Sequence, residues 1–299
     1  MAGNPPMIVQ ALATPEQNGR WNPVVGPEAL ELLRNVAPEA SRAEIQNAAV
    51  SVLSKGIPPT AQTGQETGLV IGYVQSGKTL SFETVTALAR DNGFPLVVIV
   101  AGTNTPLLDQ STKRINRDLR LDEPRRARKW VALQNPENDE ATVQAIRDVL
   151  EDWRDPGTPE DFKKTVLITV LKHYQRIENL TELLRALAVA PAPTLIIDDE
   201  ADQASLNTEV GQGQESKTYR RLMELRQALP HHTYLQYTAT PQAPLLVSIV
   251  DSFSPGFVQV LNPGPDYVGG REFFINNRRL IRLIPSQEVP SRTNPVNGG

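Results

Sequence analysis

The chain has 299 residues, 39% of them hydrophobic, enough to bury one large core or two smaller ones. A net charge of −4 argues against a uniformly basic nucleic-acid coat protein but leaves room for a local basic groove. With no cysteine, disulfides, thiolate metal sites and cysteine nucleophiles are excluded together.

In chain order, residues 1 to about 25 are proline-rich and irregular, with Trp21 as an anchor onto something apolar. The first residues carry no basic-then-apolar signal pattern, and no apolar run approaches membrane-spanning length. The expectation is a soluble, cytoplasmic protein with no membrane partner. Two short helices follow, the first marked by Leu30, Leu32, Leu33 and Val36. The second opens on Ser41 and Glu44, spaced as a capping box, and carries Ile45, Ala48, Ala49, Val52 and Leu53 on one face. Residues 1–60 thus form an N-terminal extension. Lys55 to Gly68 reads as loop, and Ala61–Gly64 within it imitates a helicase phosphate loop without the lysine.

The apolar run Leu69-Val70-Ile71 then meets Gly72-Tyr73-Val74-Gln75-Ser76-Gly77-Lys78-Thr79, and a helix-competent segment continues from Leu80 to Arg90. This is G-x-x-x-x-G-K-T between a strand and a helix. Gly72 and Gly77 let the backbone curl, so that N–H groups through Gln75, Ser76 and Gly77 face phosphate oxygens at a helix start. Lys78 places an ammonium on the terminal phosphates, and the Thr79 hydroxyl is a hard ligand for Mg²⁺. The expected ligand is a nucleoside triphosphate, ATP, with Mg²⁺.

Beyond it, apolar runs at Leu96–Ala101, Trp130–Leu133, Val166–Val170, Leu195–Ile197 and Tyr234–Tyr237 alternate with helical patterns at Leu107–Leu119, Ala141–Trp153, Ile177–Ala188 and Tyr219–Leu229. Continuous apolar strands between amphipathic helices predict an α/β domain over 61–262, a parallel sheet with helices on both faces. Asn207–Ser216 has no apolar period and reads as a mobile loop. Past Val260 the pattern breaks. Residues 263–299 read as a linker or the start of a following domain, as if the chain were cut there.

Two more motifs fall at strand ends. Leu195-Ile196-Ile197 runs into Asp198-Asp199-Glu200-Ala201-Asp202. There Asp199 would hold Mg²⁺ and Glu200 would polarise the attacking water, with Asp198 capping or facing solvent. Tyr234–Tyr237 ends in Thr238-Ala239-Thr240-Pro241, whose hydroxyls can hydrogen-bond the acidic box and couple it to the phosphate. Open α/β sheets place their ligands along this edge.

Together these segments resemble motifs I, II and III of superfamily 2 helicases, with Ala101–Leu107 at the position of motif Ia. More narrowly, GYVQSGKT, IIDDEADQASLNT, YTATPQAPLL and PGPDYVGGREFF resemble the N-terminal half of Z-1 domain proteins. That bacterial family comprises candidate endonucleases coupled to a helicase-like ATPase in restriction and phage-defence settings. The resemblance spans roughly residues 65 to 275. It implies a RecA-like P-loop ATPase, Lys78, Asp199 and Glu200 as catalytic residues, and a nucleic-acid partner, DNA. It also implies a second RecA-like or nuclease domain, which nothing after Thr240 resembles, so slow turnover is expected of this chain alone. No adenine-reading glutamine is evident beyond Gln62 and Gln65, and no nuclease centre is legible.

From Lys113 to Lys129 the chain carries eight cations, including Lys113, Arg114 and Arg117, against Asp118, Asp122 and Glu123. Following the motif Ia position, Thr103, Lys113, Arg114 and Arg117 are candidates for phosphate-backbone contact, and a solvated helix face is the alternative. Arg271, Arg278, Arg279 and Arg282 form a second basic group. His173, His231 and His232 read as packing or surface residues. Two functions follow: an ATP-driven nucleic-acid motor, or an ATP-gated protein-interaction switch with little hydrolysis.

Overall fold

The computed structural model describes residues 19–72, 77–123, 129–187, 192–202, 217–241, 254–263, 275–280 and 282. In chain order the elements are α1 (Pro27–Val36), α2 (Glu39–Ser54), β1 (Gly64–Ile71), α3 (Lys78–Asp91), β2 (Leu96–Ala101), α4 (Thr105–Asp118) and β3 (Trp130–Gln134). There follow α5 (Glu140–Arg154), β4 (Thr165–Leu171), α6 (Tyr174–Ala186), β5 (Thr194–Asp199), α7 (Lys217–Ala228), β6 (His231–Thr238) and β7 (Phe257–Val260). Arg278–Leu280 adds a 3-10 turn.

The strands form one seven-stranded sheet in the order β3-β4-β2-β5-β6-β1-β7, every pair parallel. All six residues of β2, Leu-Val-Val-Ile-Val-Ala, are buried. Successive side chains leave the sheet on opposite sides. Val97, Ile99 and Ala101 join Ala29, Val52, Phe82 and Leu108 in one core, while Leu96, Val98 and Val100 join Ile146, Leu180 and Leu222 in the other. Helices α1 to α4 therefore cover one face and α5 to α7 the other, as the alternation of apolar runs predicts.

On the first face α3 is enclosed all round, with every residue from Ser81 to Arg90 buried. The sheet lies beneath it, and α1 and α2 pack over it through Ala29, Leu32, Ala49, Val52 and Leu53. Helix α1 has no side-chain cap of its own. Asp91, at the far end of α3, accepts from the N–H groups of Gly26, Glu28 and Ala29 at 3.1, 3.0 and 2.9 Å. Trp21 packs beside Phe94, ring centroids 6.4 Å apart.

Several expected boundaries move. Helix α2 begins at Glu39 behind Pro38, so Ser41 and Glu44 lie inside the first turns and make no capping box. Proline's fixed φ is already preset for a helix entry. Residues Gly64–Gly68 are strand rather than loop, because each pairs with β6, from Gly64 opposite His231 to Gly68 opposite Leu235. The polar Glu66 and Thr67 are buried by that pairing, which residue-by-residue polarity does not anticipate. The four-residue β7 carries no expected pattern of its own, and is held by pairing with β1 from Gly68 to Ile71. The expected irregular start within 1–18, the loop expected at Asn207–Ser216, the segments at 242–253 and 264–274 including Arg271, and the end from 283 to 299 lie outside the described residues.

Candidate functional site

The parallel order β5-β6-β1 brings three predicted segments to one edge. The end of β6 lies between the other two. Gly72 N–H donates to the Thr238 carbonyl at 3.0 Å on one side, and Ala201 N–H donates to the Tyr237 carbonyl at 2.9 Å on the other. Gly77 stands at φ 91°, ψ 20°, immediately before α3. A Cβ there would meet nothing within 4 Å, so the conformation, not crowding, calls for glycine. Lys78 and Thr79 occupy the first turn of α3, half-buried, and among the described residues no side chain caps that helix start. The candidates Gln75 and Ser76 fall in 73–76, outside the described residues. Beneath this turn, the Ser81 hydroxyl lies 3.3 Å from that of Tyr237, whose ring meets Phe82 edge-on at 5.7 Å.

Across β6, the acidic turn is built around a side chain the sequence reading passed over. Lys172, directly after β4, is 1% exposed. Its Nζ lies 2.7 Å from Asp198 Oδ1, and donates to the carbonyls of Asp199 at 2.5 Å and Glu200 at 2.9 Å. Asp198 neither caps nor faces solvent. It is fully buried, and also accepts from the Tyr234 hydroxyl at 2.5 Å. The correction has a simple cause: β5 extends to Asp199, and its alternation turns Asp198 into the core beside Tyr234. A lysine placed immediately after a buried strand is the only sequence signal that could have found this pair.

Asp199 is half-buried and Glu200 exposed. Burial pushes the Asp199 carboxyl up to about 6; the Lys172 ammonium opposes this, Glu200 and Asp198 add to it, and Lys78 pulls the other way. Glu200 adopts a left-handed backbone, φ 51°, unusual for a residue with a Cβ. One residue pair on, the Thr238 and Thr240 hydroxyls donate to the two oxygens of Asp202, at 2.6 and 2.5 Å. Burial raises the Asp202 carboxyl, but these two bonds, together with a backbone hydrogen bond and the Lys172 charge, hold it below the usual range.

The basic candidates lie along α4 beyond β2. Thr103 and Lys113 are exposed, and Asn104 caps α4 by accepting from the Leu107 N–H at 3.1 Å. Arg114 leans on α3, with its Nε 3.7 Å from Glu83 and 3.6 Å from Asp118, while Arg117 donates to Asp118 at 2.6 Å. Arg117 keeps 73% of its side chain exposed. Arg125, Arg126 and Arg128 lie outside the described residues.

Gln62 and Gln65 do not join the edge. They sit at the amino end of β1, and six strand residues at about 3.3 Å each put Gln65 some ~20 Å from Ile71. His231 and His232 are buried, and Arg226 Nε lies 3.2 Å from His232 Nε2. Among the described residues no group of three or more imidazole or carboxylate side chains is placed to hold a metal by itself, and no helix is long and apolar enough to cross a membrane. No protein-family model and no curated protein matches the chain.

Proposed function

We propose that the carboxyl edge of β1, β6 and β5 binds ATP with Mg²⁺. In this reading the chain is the RecA-like P-loop half of a superfamily 2 helicase-type ATPase in a Z-1 domain protein, acting on nucleic acid, DNA. The observation that carries it is the sheet order: Lys78, at a helix start behind a left-handed glycine that follows β1, and the half-buried Asp199 that ends β5 lie at one edge with β6 alone between their strands. A helix N-terminus suits phosphate, and a lysine there meets the terminal phosphates as a point charge.

The residues fit a magnesium ion shared with phosphate. The donors on offer are oxygens, the Thr79 hydroxyl and the Asp199 carboxylate, and magnesium takes one or two protein oxygens beside phosphate and water. The Asp199 carboxyl is raised chiefly by burial and further by Glu200 and Asp198, against the pull of Lys172, and a cation bound beside it would favour its charged form. Bound there, the ion would draw charge from the phosphates. Glu200, exposed next to Asp199, is the group to orient and deprotonate the attacking water. Asp202, tied to Thr238 and Thr240, links the acidic turn to the end of β6 and so to whatever that strand contacts. An arginine from a second domain would complete the site. Such a group is worth 10³–10⁵ in rate, so this chain alone is expected to bind ATP and turn it over slowly.

Calorimetry with Mg²⁺ and a non-hydrolysable ATP analogue tests the reading. Lys78→Ala should weaken binding by at least tenfold, and Asp199→Asn should remove most of the magnesium dependence. Wild-type protein that takes up neither adenine nor guanine triphosphates overturns it.

A further inference from the structure

Of the side chains around this edge, Lys172 is the one whose contacts exceed what packing requires. Its strand, β4, is separated from β5 by β2, two strand spacings or roughly 10 Å, so the side chain must cross the end of β2 to reach its partners. Its backbone N–H is anchored on the way, donating to the Gly102 carbonyl at 3.0 Å. Its ammonium donates to two consecutive carbonyls, those of Asp199 and Glu200, and forms an ion pair with the Asp198 carboxylate at 2.7 Å. Two consecutive carbonyls turn to one cation only where the backbone departs from the strand, and Glu200 does so in the left-handed region. Such a conformation persists where its surroundings over-determine it. The same turn is held from outside by Glu200 N–H on Asp199 Oδ1 at 3.1 Å and Ala201 N–H on the Tyr237 carbonyl at 2.9 Å.

We propose that Lys172 is a positioning residue for the nucleotide site: by clamping both carbonyls it holds the left-handed turn that presents Asp199 and Glu200 to the edge, while its charge neutralises Asp198 behind them. The presentation half of this rests on the ATP·Mg²⁺ reading; the ordering of the turn does not. Lys172 touches neither phosphate nor metal in this role.

Lys172→Met alone strands a buried Asp198 carboxylate and can unfold the protein, so the informative variant is Lys172→Met/Asp198→Asn, which removes both charges of the pair. Asp198→Asn alone keeps both carbonyls on the ammonium but leaves that buried charge without its counter-ion, so its fold, like that of the double variant, is checked by its melting temperature before exchange is compared. Amide hydrogen exchange, which needs no ligand, should run at least tenfold faster at Glu200 and Ala201 in the double variant, with β2 and β4 unchanged. It should stay near wild type in Asp198→Asn. With Mg²⁺ and a non-hydrolysable ATP analogue, the double variant should keep magnesium-free binding within threefold and lose at least tenfold of the tightening that magnesium gives wild type. Unchanged exchange in the folded double variant overturns the proposal, as does equal loosening by Asp198→Asn alone or an unaltered magnesium effect in the double variant. If wild type binds no nucleotide the functional reading falls, and exchange alone then decides whether Lys172 orders the turn.

Discussion

Glu83 has both carboxyl oxygens buried without a hydrogen-bond donor among the described residues, in the middle of α3. Burial, then the neighbouring Asp118 charge, pushes its carboxyl up to about 8, against the partial pull of Arg114. The sign of its contribution follows from linkage. Below about 4.5 the group is protonated in both folded and unfolded chains, and costs nothing. As pH rises towards 8 the unfolded chain releases its proton while the folded one retains it, so stability falls through that window. Glu83→Gln keeps the shape and cannot ionise. It should leave stability near wild type at pH 4 and raise it by a few kcal/mol, of the order one pK unit per 1.36 kcal/mol allows, at pH 8. Urea melts at the two pH values check this; a pH-independent difference between the proteins would show that Glu83 is ionised within the fold.

At the scale of the element, α1 is a ten-residue helix whose N-terminus borrows its cap from another helix. Three backbone N–H groups converge on Asp91, and the carboxylate also sits at the favourable end of the α1 dipole. Asp91→Ala should cost about 1–2 kcal/mol, the upper range for a lost helix cap, with faster amide exchange concentrated in Gly26–Leu33. Asp91→Asn should recover part of it. Exchange rising equally through α3 would mean that the carboxylate supports its own helix instead. The same dependence explains why α3 is buried on every side: one flank lies on the sheet, and the other lies under helices that Asp91 keeps in place.

For the molecule as a whole, the basic helix α4 and the edge proposed for nucleotide lie on either side of α3. Arg114 rests on Glu83, four residues past Thr79, and Arg117 rests on Asp118. In the motor reading these arginines exchange carboxylates for nucleic-acid phosphates. The salt dependence of single-stranded DNA binding should then fall in slope by about 1.4 in Arg114→Ala/Arg117→Ala, at roughly 0.7 per lost phosphate contact. Arg117→Ala alone should remove about half of that. Because Arg114 also offsets buried acid, the fold of each variant is checked by its melting temperature. An unchanged slope in folded protein assigns α4 to a solvated face and favours the switch reading, in which a protein partner, and not DNA, responds to nucleotide.

What the sequence by itself determined is the part governed by near neighbours. Runs such as Leu96–Ala101 and Val166–Val170 announce strands buried on both faces, and Gly77 before Lys78 and Thr79 marks a left-handed entry to a helix, a conformation that favours glycine. The acidic run that ends β5 and continues through Glu200 and Asp202 was legible for the same reason. The tertiary structure alone decided the strand order that sets β6 between β1 and β5, the extension of β1 back to Gly64, the burial of Asp198 and the reach of Lys172 across β2. It also decided that Asp91 serves α1 and that Gln65 lies at the wrong end of its strand. Each of these joins residues far apart in the chain. Periodicity within a window of a dozen residues reports which way a side chain points, but pairing between distant strands decides what it meets.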